Sequence, residues 1–372
     1  MPCVAIIEEL KDEFELFYIG SNAGMEREII SKLSYVTYFP ITTIKLIRSL
    51  TLKNLAIPFR LLKGIHEAKK ILKTVEPDVI FSKGGYVALP VTMAARCPLV
   101  CHESDVSMGL ANKLAKKKAV FVAASFLETV KNLKNGVHTG CPVRQSLYRP
   151  KRTTNGRPYD FAATVTSLNP KPQLFTPHSS LLTPTPRPVL LIMGGSLGAT
   201  SINDCVFAAL DEIVKKYDII HITGKGKANL NKELSATAAS GTNTQNHYTQ
   251  IEFESDIGRL YAKASVVLSR GGGTALFELA ALKIPSLVIP LPKGASRGDQ
   301  IVNAEYFQKL GLCRVLPQNE LSPARLLSEL DAVLTDKTMK QNLQTAQNID
   351  GTKKIAALIR NCIPKGQGCS LS

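Results

Sequence analysis

Met193–Asn203 reads MGGSLGATSIN, an apolar run that ends in Gly194-Gly195-Ser196 and passes straight into a helix-forming stretch. Glycines at a strand-to-helix turn let backbone amides approach an anion, and the helix N-terminus adds partial positive charge. The pattern is neither GxGxxG nor a GK[ST] phosphate loop, which counts against nicotinamide binding and nucleotide hydrolysis. A tight structural turn is the bland alternative. The arrangement recurs at Leu268–Thr274, LSRGGGT, ahead of the helical run ALFELAALK. Two such turns at strand ends of one sheet converge where wound sheets hold ligands, so amides near Gly195, Ser196, Gly272 and Gly273 can grip a diphosphate without a metal. No DxD motif accompanies them. Glu278, about one helical turn further on, is placed to accept bonds from ribose hydroxyls or is simply a solvated helix carboxylate.

Three further stretches carry reactive side chains. Pro292–Ala304, PKGASRGDQIVNA, brings Asp299 and Gln300 to a helix start, where they can meet sugar hydroxyls, although Asp299 also suits an N-cap. Phe81–Pro90, FSKGGYVALP, sets Lys83 beside Gly84-Gly85 at another strand-to-helix turn and suits a second phosphate. Cys101–Asn112, CHESDVSMGLAN, puts His102, Glu103 and Asp105 at a strand end. Their spacing does not fit a metal site, and scaffolding or substrate binding by His102 ranks ahead of catalysis. The eight cysteines show no CxxC pair and no finger-spaced histidine, which predicts reduced thiols and neither zinc nor disulfides.

The elements that must position these groups follow from periodicity. Strand-like runs alternate with helix-period stretches, the mark of a wound α/β architecture. Strands are predicted at 15–19, 35–39, 78–81, 98–101 and 119–123, then at 189–193, 218–223, 251–253, 265–268, 286–289 and 313–316. Pro2–Leu10, apolar at 4, 6, 7 and 10, reads as an opening helix. The expected organisation is a first domain at 1–147, a Pro/Ser/Thr-rich linker or insertion at 148–188 with eight prolines, a second domain at 189–364, and an unstructured tail at 365–372.

Composition narrows the function classes. A chain of 372 residues with 44% hydrophobic content has enough material for two or three cores, which excludes a disordered or fibrous protein. The N-terminus, MPCVAIIEELKDE, turns acidic where a signal peptide needs a cleavage site, and no run is long enough to span a bilayer, so a cytoplasmic protein is predicted. Net charge is +16, yet the chain lacks Trp and shows no basic-aromatic interleaving, so nucleic acid is not the expected partner. Residues 42–73 interleave apolar side chains with Lys45, Arg48, Lys53, Arg60, Lys63, Lys69, Lys70 and Lys73. Such a stretch can lie on an anionic lipid surface, or be an ordinary amphipathic helix with a solvated face.

Taken together, PDVIFSKGGYVALP, HESDVSMGLANKLA, TGCPVR, MGGSLGATSIN, LSRGGGTALFELAALKIP and SRGDQIVNAEYF closely resemble, in order and spacing, the MurG family, glycosyltransferase family 28. The resemblance implies a GT-B fold: two Rossmann-like domains facing a cleft, the first (1–147) being the acceptor and membrane-facing domain and the second (189–364) the donor domain. It implies inverting, metal-independent transfer of N-acetylglucosamine from UDP-N-acetylglucosamine to the muramoyl 4-hydroxyl of lipid I, a peptidoglycan precursor, by a peripheral enzyme at the cytoplasmic membrane face without a cofactor. Residue by residue, it implies donor contacts at Arg144, Gly195, Ser196, Phe253 (uracil), Glu254 (backbone), Gly272, Gly273, Glu278 (ribose), Asp299 and Gln300. Lys83, Gly84, Gly85 and Asn112 fall on the acceptor side. The family's usual base, a His in a GGTxGH loop after the first strand, has no counterpart here, and the N-terminal domain is expected to lack that strand and loop. The catalytic base is therefore unassigned, with His102, Glu103 or Asp105 as substitutes. A non-catalytic UDP-sugar binder and a transferase acting on another lipid, such as diacylglycerol, are the alternatives.

Overall fold

A computed structural model describes residues 2–22, 24–43, 57–148, 187–195, 198–228, 247–254, 256–294 and 298–363. The expected tail, nearly all of the 148–188 linker, and residues 44–56 of the basic stretch lie outside the described residues. The chain packs as two compact units. The first joins Met1–Gln145 with Gly272–Ala281 and Ala346–Ser372; the second joins Ser146–Gly271 with Leu282–Thr345. The chain therefore passes between units four times, at 145/146, 271/272, 281/282 and 345/346.

The first unit contains β1 (Leu16–Ser21), β2 (Val36–Ile41), β3 (Ile80–Ser82), β4 (Leu99–Glu103), β5 (Phe121–Ala124) and β6 (Gly136–His138), all paired in parallel. They make two sheets, β1-β2 and β3-β4-β5-β6, and among the described residues no ladder joins β1 to β3. Its helices before the first crossing are α1 (Pro2–Leu10), α2 (Met25–Ile30), α3 (Ile57–Val75), α4 (Ala88–Ala94), α5 (Leu110–Ala115) and α6 (Leu127–Val130), with α7 (Gln145–Tyr148) at the crossing itself.

The helical spacing read in the first ten residues is the spacing that packs: Val4, Ile6, Ile7 and Leu10 are all buried. Ile6 and Leu10 pack with Val100 of β4 and Ala123 of β5, while Val4 and Ile7 pack with Ile30 of α2, and Leu16 of β1 touches both clusters. One helix thus covers both sheets. On the far side, Ile19 of β1 and Ile80 of β3 share a cluster with Ala68 of α3 and Val91 of α4. Strand β6 was not expected from the sequence, because three residues beginning with a glycine give no periodic signal. Its entry is set by Asn135, whose amide donates to the Lys116 and Ala119 carbonyls at 3.2 and 2.8 Å.

The second unit is one parallel sheet in the order β12-β11-β10-β7-β8-β9. Its strands are β7 (Val189–Met193), β8 (Asp218–Ile222), β9 (Tyr248–Ile251), β10 (Val266–Ser269), β11 (Ser286–Val288) and β12 (Arg314–Val315). Leu190, Leu191, Ile192, Val266, Val267 and Leu268 are fully buried, as expected for strands covered on both faces. The helices in chain order are α8 (Thr200–Lys216), α9 (Ile257–Tyr261), α10 (Gly273–Ala281), which packs in the first unit, α11 (Asp299–Lys309), α12 (Pro323–Thr335), α13 (Lys337–Thr345) and α14 (Thr352–Arg360), again in the first unit. In α8, Ile202, Val206, Leu210 and Ile213 are buried at three- and four-residue spacing, and Lys215 and Lys216 complement the dipole in its last turn. In α12, Pro323 follows Ser322, whose hydroxyl caps the helix by accepting from the Arg325 amide.

The strand predicted at 251–253 forms earlier, at Tyr248–Ile251, because the ladder pairs Ile219 with Tyr248 and Ile222 with Ile251. A buried polar network fixes this corner of the sheet. His221 is fully buried; its Nε2 lies 3.1 Å from Asn203 Oδ1 and its Nδ1 3.0 Å from the Tyr248 hydroxyl. Asn203 donates its amide to the Thr223 carbonyl at 2.9 Å, so its oxygen faces the imidazole and Nε2 carries the proton. Burial lowers the His221 pKa from 6.5 to about 4. The unfolded chain therefore binds the extra proton first, and this contribution is complete above about pH 6.5 and lost as pH falls toward about 4. The difference is worth about 3 kcal/mol. Urea unfolding of the wild type is expected to lose that much more stability over this interval than His221→Gln does; parallel pH profiles would contradict the assignment.

Candidate functional site

In the second unit the chain runs β7, β8, β9 in one direction and then returns to place β10 on the other flank of β7. The strand order reverses between β7 and β10, the position where open parallel sheets hold ligands. Register sets Met193 opposite Ser269, so both strands end level. Gly194-Gly195 follows one and Arg270-Gly271 the other. Gly195 is exposed at this end, whereas Ser196 lies outside the described residues. Arg270, which sequence reasoning passed over, is buried to 8% exposure and donates to the Ile289 carbonyl, the Gln318 side-chain oxygen and the Ser201 hydroxyl. It ties the ends of the strands together and is no anion clamp. Asn303, also unremarked in the sequence, is fully buried and donates to the Gly271 carbonyl at 3.3 Å.

The remaining donor-side residues of this unit fall at strand or helix ends. Phe253, two residues past β9, is 62% exposed, an arrangement that leaves a ring face open to a planar group. The Glu254 carboxylate is committed to the Asp256 amide at 2.7 Å and to Arg259 at 2.8 Å, so only its backbone is available for recognition. Asp299 is the first residue of α11 and the cap is Gly298, so the N-cap reading of Asp299 is off by one residue. Gln300 accepts from the Leu291 amide at 2.9 Å through Oε1, which orients its NH₂ group.

In the first unit, the site residues again sit at strand C-terminal ends. Ser82 pairs with Cys101, so Lys83 emerges level with His102. Its ammonium donates to His102 Nδ1 at 2.7 Å and to the Ser104 hydroxyl. His102 is fully buried, and its Nε2 lies 3.1 Å from the Gly140 carbonyl, an acceptor only, so Nε2 holds the proton and Nδ1 offers the lone pair to Lys83. Burial, reinforced by the Lys83 charge, holds its pKa well below the usual histidine range. Glu103 is equally committed: Oε1 accepts from the Ser104 and Asp105 amides at 3.0 and 3.3 Å, and Oε2 from the Gly109 amide and Asn112 Nδ2, both at 2.9 Å. Of the three substitute bases, His102 thus has its Nδ1 lone pair occupied by Lys83, and Glu103 has both carboxylate oxygens occupied.

Asn112 links the same loop to β4, donating also to the His102 carbonyl at 3.0 Å, while its Oδ1 is buried without a hydrogen-bond partner among the described residues. Its amide lies against Gly84, where a Cβ would stand 2.7 Å from Nδ2. Gly84 and Gly85 have φ of +75° and +86°, a double left-handed turn closed to ordinary side chains. Helix α10 starts at Gly273, where an added Cβ would come within 2.3 Å of the Ser104 carbonyl and 3.0 Å of Asp105 Oδ1. Only glycine lets this N-terminus abut the 104–105 loop. Phe277 anchors the helix edge-to-face on Phe126 at 5.1 Å. Glu278 on α10, 6% exposed, faces Arg144 at 3.7 Å. The arginine's approach is fixed by Val143, whose amide donates to the Thr352 hydroxyl at 3.0 Å, at the start of α14. Gly273 and Glu278 thus share one unit with Arg144, Lys83 and Asn112, although the sequence separates them from those residues by more than a hundred positions.

Comparison with known proteins fits this arrangement. The glycosyltransferase family 28 N-terminal domain matches residues 1–124 and its C-terminal domain residues 189–359. A UDP-N-acetylglucosamine--N-acetylmuramyl-(pentapeptide) pyrophosphoryl-undecaprenol N-acetylglucosamine transferase from Lachnospira eligens is 38% identical over 368 residues, 97% of this chain and 95% of that one. The enzyme of the same name from Clostridium botulinum (strain Langeland) is 38% identical over 367 residues, 96% of this chain and 94% of its own. Among solved structures, Acinetobacter baumannii MurG superposes with a TM-score of 0.66 at 22% identity, covering 97% of this chain and 95% of its own. The calicheamicin glycosyltransferase CalG4 gives 0.64 at 12% identity, covering 99% and 96%. The fold is thus the two-domain GT-B type, and the chain belongs to glycosyltransferase family 28.

Proposed function

We propose that this chain transfers N-acetylglucosamine from UDP-N-acetylglucosamine to the muramoyl 4-hydroxyl of lipid I, at the cytoplasmic face of the cell membrane. The observation that carries the reading is 38% identity, sustained along 97% of the chain, to transferases named for that reaction. Particular residues of each unit support the reading. In the second unit, amides at the Gly194-Gly195 turn suit a diphosphate oxygen; in the first, the N-terminus of α10 and its dipole suit an anion. Glu278 is suited to the ribose and Arg144, beside it, to the phosphates. Phe253 offers a face for uracil, and Gln300 with Asp299 suit the sugar hydroxyls. Of the three candidates for deprotonating the acceptor hydroxyl, His102 and Glu103 have their lone pairs occupied, and half-buried Asp105 lies at the start of α10.

Membrane contact is assigned to α3. Phe59 and Leu62 stand 76% and 64% exposed next to exposed Arg60 and Lys63. Gly64 and Ala68 on the opposite side are buried. An apolar pair set among cations is the pattern of an interfacial helix on anionic lipid.

Three experiments test this reading. Labelled UDP-N-acetylglucosamine supplied under EDTA with lipid I, lipid-free muramoyl peptide or diacylglycerol is expected to label lipid I. UDP binding without transfer to any acceptor would identify a sugar-nucleotide binder instead, and labelled diacylglycerol a different lipid specificity. Glu278→Ala should raise the KM for UDP-N-acetylglucosamine by about ten- to a hundredfold while leaving the acceptor KM unchanged; an unchanged donor KM would remove Glu278 from the ribose site. Phe59→Ser with Leu62→Ser should weaken binding to anionic vesicles by about tenfold or more without reducing turnover of a short-chain, water-soluble acceptor. Undiminished vesicle binding would move the membrane contact elsewhere.

A further inference from the structure

The partners of Lys83 are unusual for a partly buried cation. Its hydrogen bonds go to an imidazole and a hydroxyl, both uncharged. The two thiols that feel its charge, Cys3 and Cys141, are pushed up by burial and stay protonated. Cys141 adds a 3.7 Å contact to Ser104. Glu103, next in the chain after His102, spends its carboxylate oxygens on four N–H donors from residues 104–112. A carboxylate in the position of His102 would hold the ammonium equally firmly but cancel its charge. A neutral imidazole orients the charge and leaves it intact. Among the described residues two of the three ammonium protons are engaged, and Lys83 leads directly into the left-handed Gly84-Gly85 turn.

We infer that His102 is a positioning residue: through Nδ1 it aims the Lys83 ammonium at an anionic oxygen of the lipid-linked acceptor, the diphosphate being the group of matching chemistry. The inference rests on the transferase reading for the identity of the acceptor, but not for the presence of an anion site. Ser104 is the second support of the ammonium. The Gly140 carbonyl, at 3.1 Å from Nε2, fixes the tautomer that makes Nδ1 an acceptor. A purely structural histidine would satisfy the same cavity without needing Lys83.

The test compares Lys83→Gln, His102→Leu, His102→Asn and the double variant Lys83→Gln/His102→Leu. Lys83→Gln and His102→Leu should each raise the acceptor KM by about ten- to a hundredfold and leave the KM for UDP-N-acetylglucosamine unchanged. His102→Asn, whose Oδ1 can replace Nδ1 as acceptor, should recover most of the loss, and the double variant should be no worse than Lys83→Gln alone. Equal effects on both substrates, additive losses, or no recovery in His102→Asn would overturn the assignment. Calorimetric titration with inorganic pyrophosphate separates this from failure of the transferase reading: even without turnover, binding should weaken in Lys83→Gln and His102→Leu, and unchanged binding overturns the site. Should the leucine variant not fold, ¹⁵N spectra of the wild type decide the matter, since a His102 ring protonated on both nitrogens at about pH 6 is incompatible with Nδ1 as acceptor.

Discussion

A carboxylate taken out of water must be met by donors on its lone pairs or be driven back to the surface. Glu103 meets that requirement inside its own loop, and much of the first unit depends on it. Its four donors come from Ser104, Asp105, Gly109 and Asn112, so one side chain fixes the path of the chain from the end of β4 to the first turn of α5. That path presents the Ser104 carbonyl and Asp105 to the start of α10, and holds the Asn112 amide against Gly84. Removing the carboxylate would leave these amides buried without partners, a cost that falls on several elements at once.

Around this knot the protein manages charge by using neutral histidines. His102 in the first unit and His221 in the second are both fully buried, both carry the proton on Nε2, and both accept at Nδ1. One holds a lysine and the other a tyrosine. In each case the imidazole sets direction without adding charge. Arg270 follows the same economy, with its guanidinium consumed by a carbonyl, an amide oxygen and a hydroxyl, so that it braces the strand ends and does not compete for the ligand.

Much of this was legible in the sequence because it depends on local rules. Glycines at strand ends, apolar runs for strands buried on both faces, and the spacing of Val4, Ile6, Ile7 and Leu10 each report on neighbours a few residues away. What escaped was set by distant partners. The strand at Tyr248–Ile251 is fixed by its ladder to β8 and not by its own composition. The contacts that occupy both nitrogens of His102 come from Lys83 and Gly140, nineteen and thirty-eight residues away. The membership of α10 in the first unit rests on Phe126 and the 104–105 loop, which nothing in GGGTALFELAA announces. The role of Arg270 was hidden because its three acceptors, Ile289, Gln318 and Ser201, lie nineteen, forty-eight and sixty-nine residues away.

The unjoined sheets of the first unit have a consequence for how that unit comes apart. Each of β1 and β3 is hydrogen-bonded along one side only among the described residues, although the same helices roof both. The facing sides carry no ladder among the described residues, so this seam has fewer bonds to break than the β4–β5 interior and is where the unit would open first.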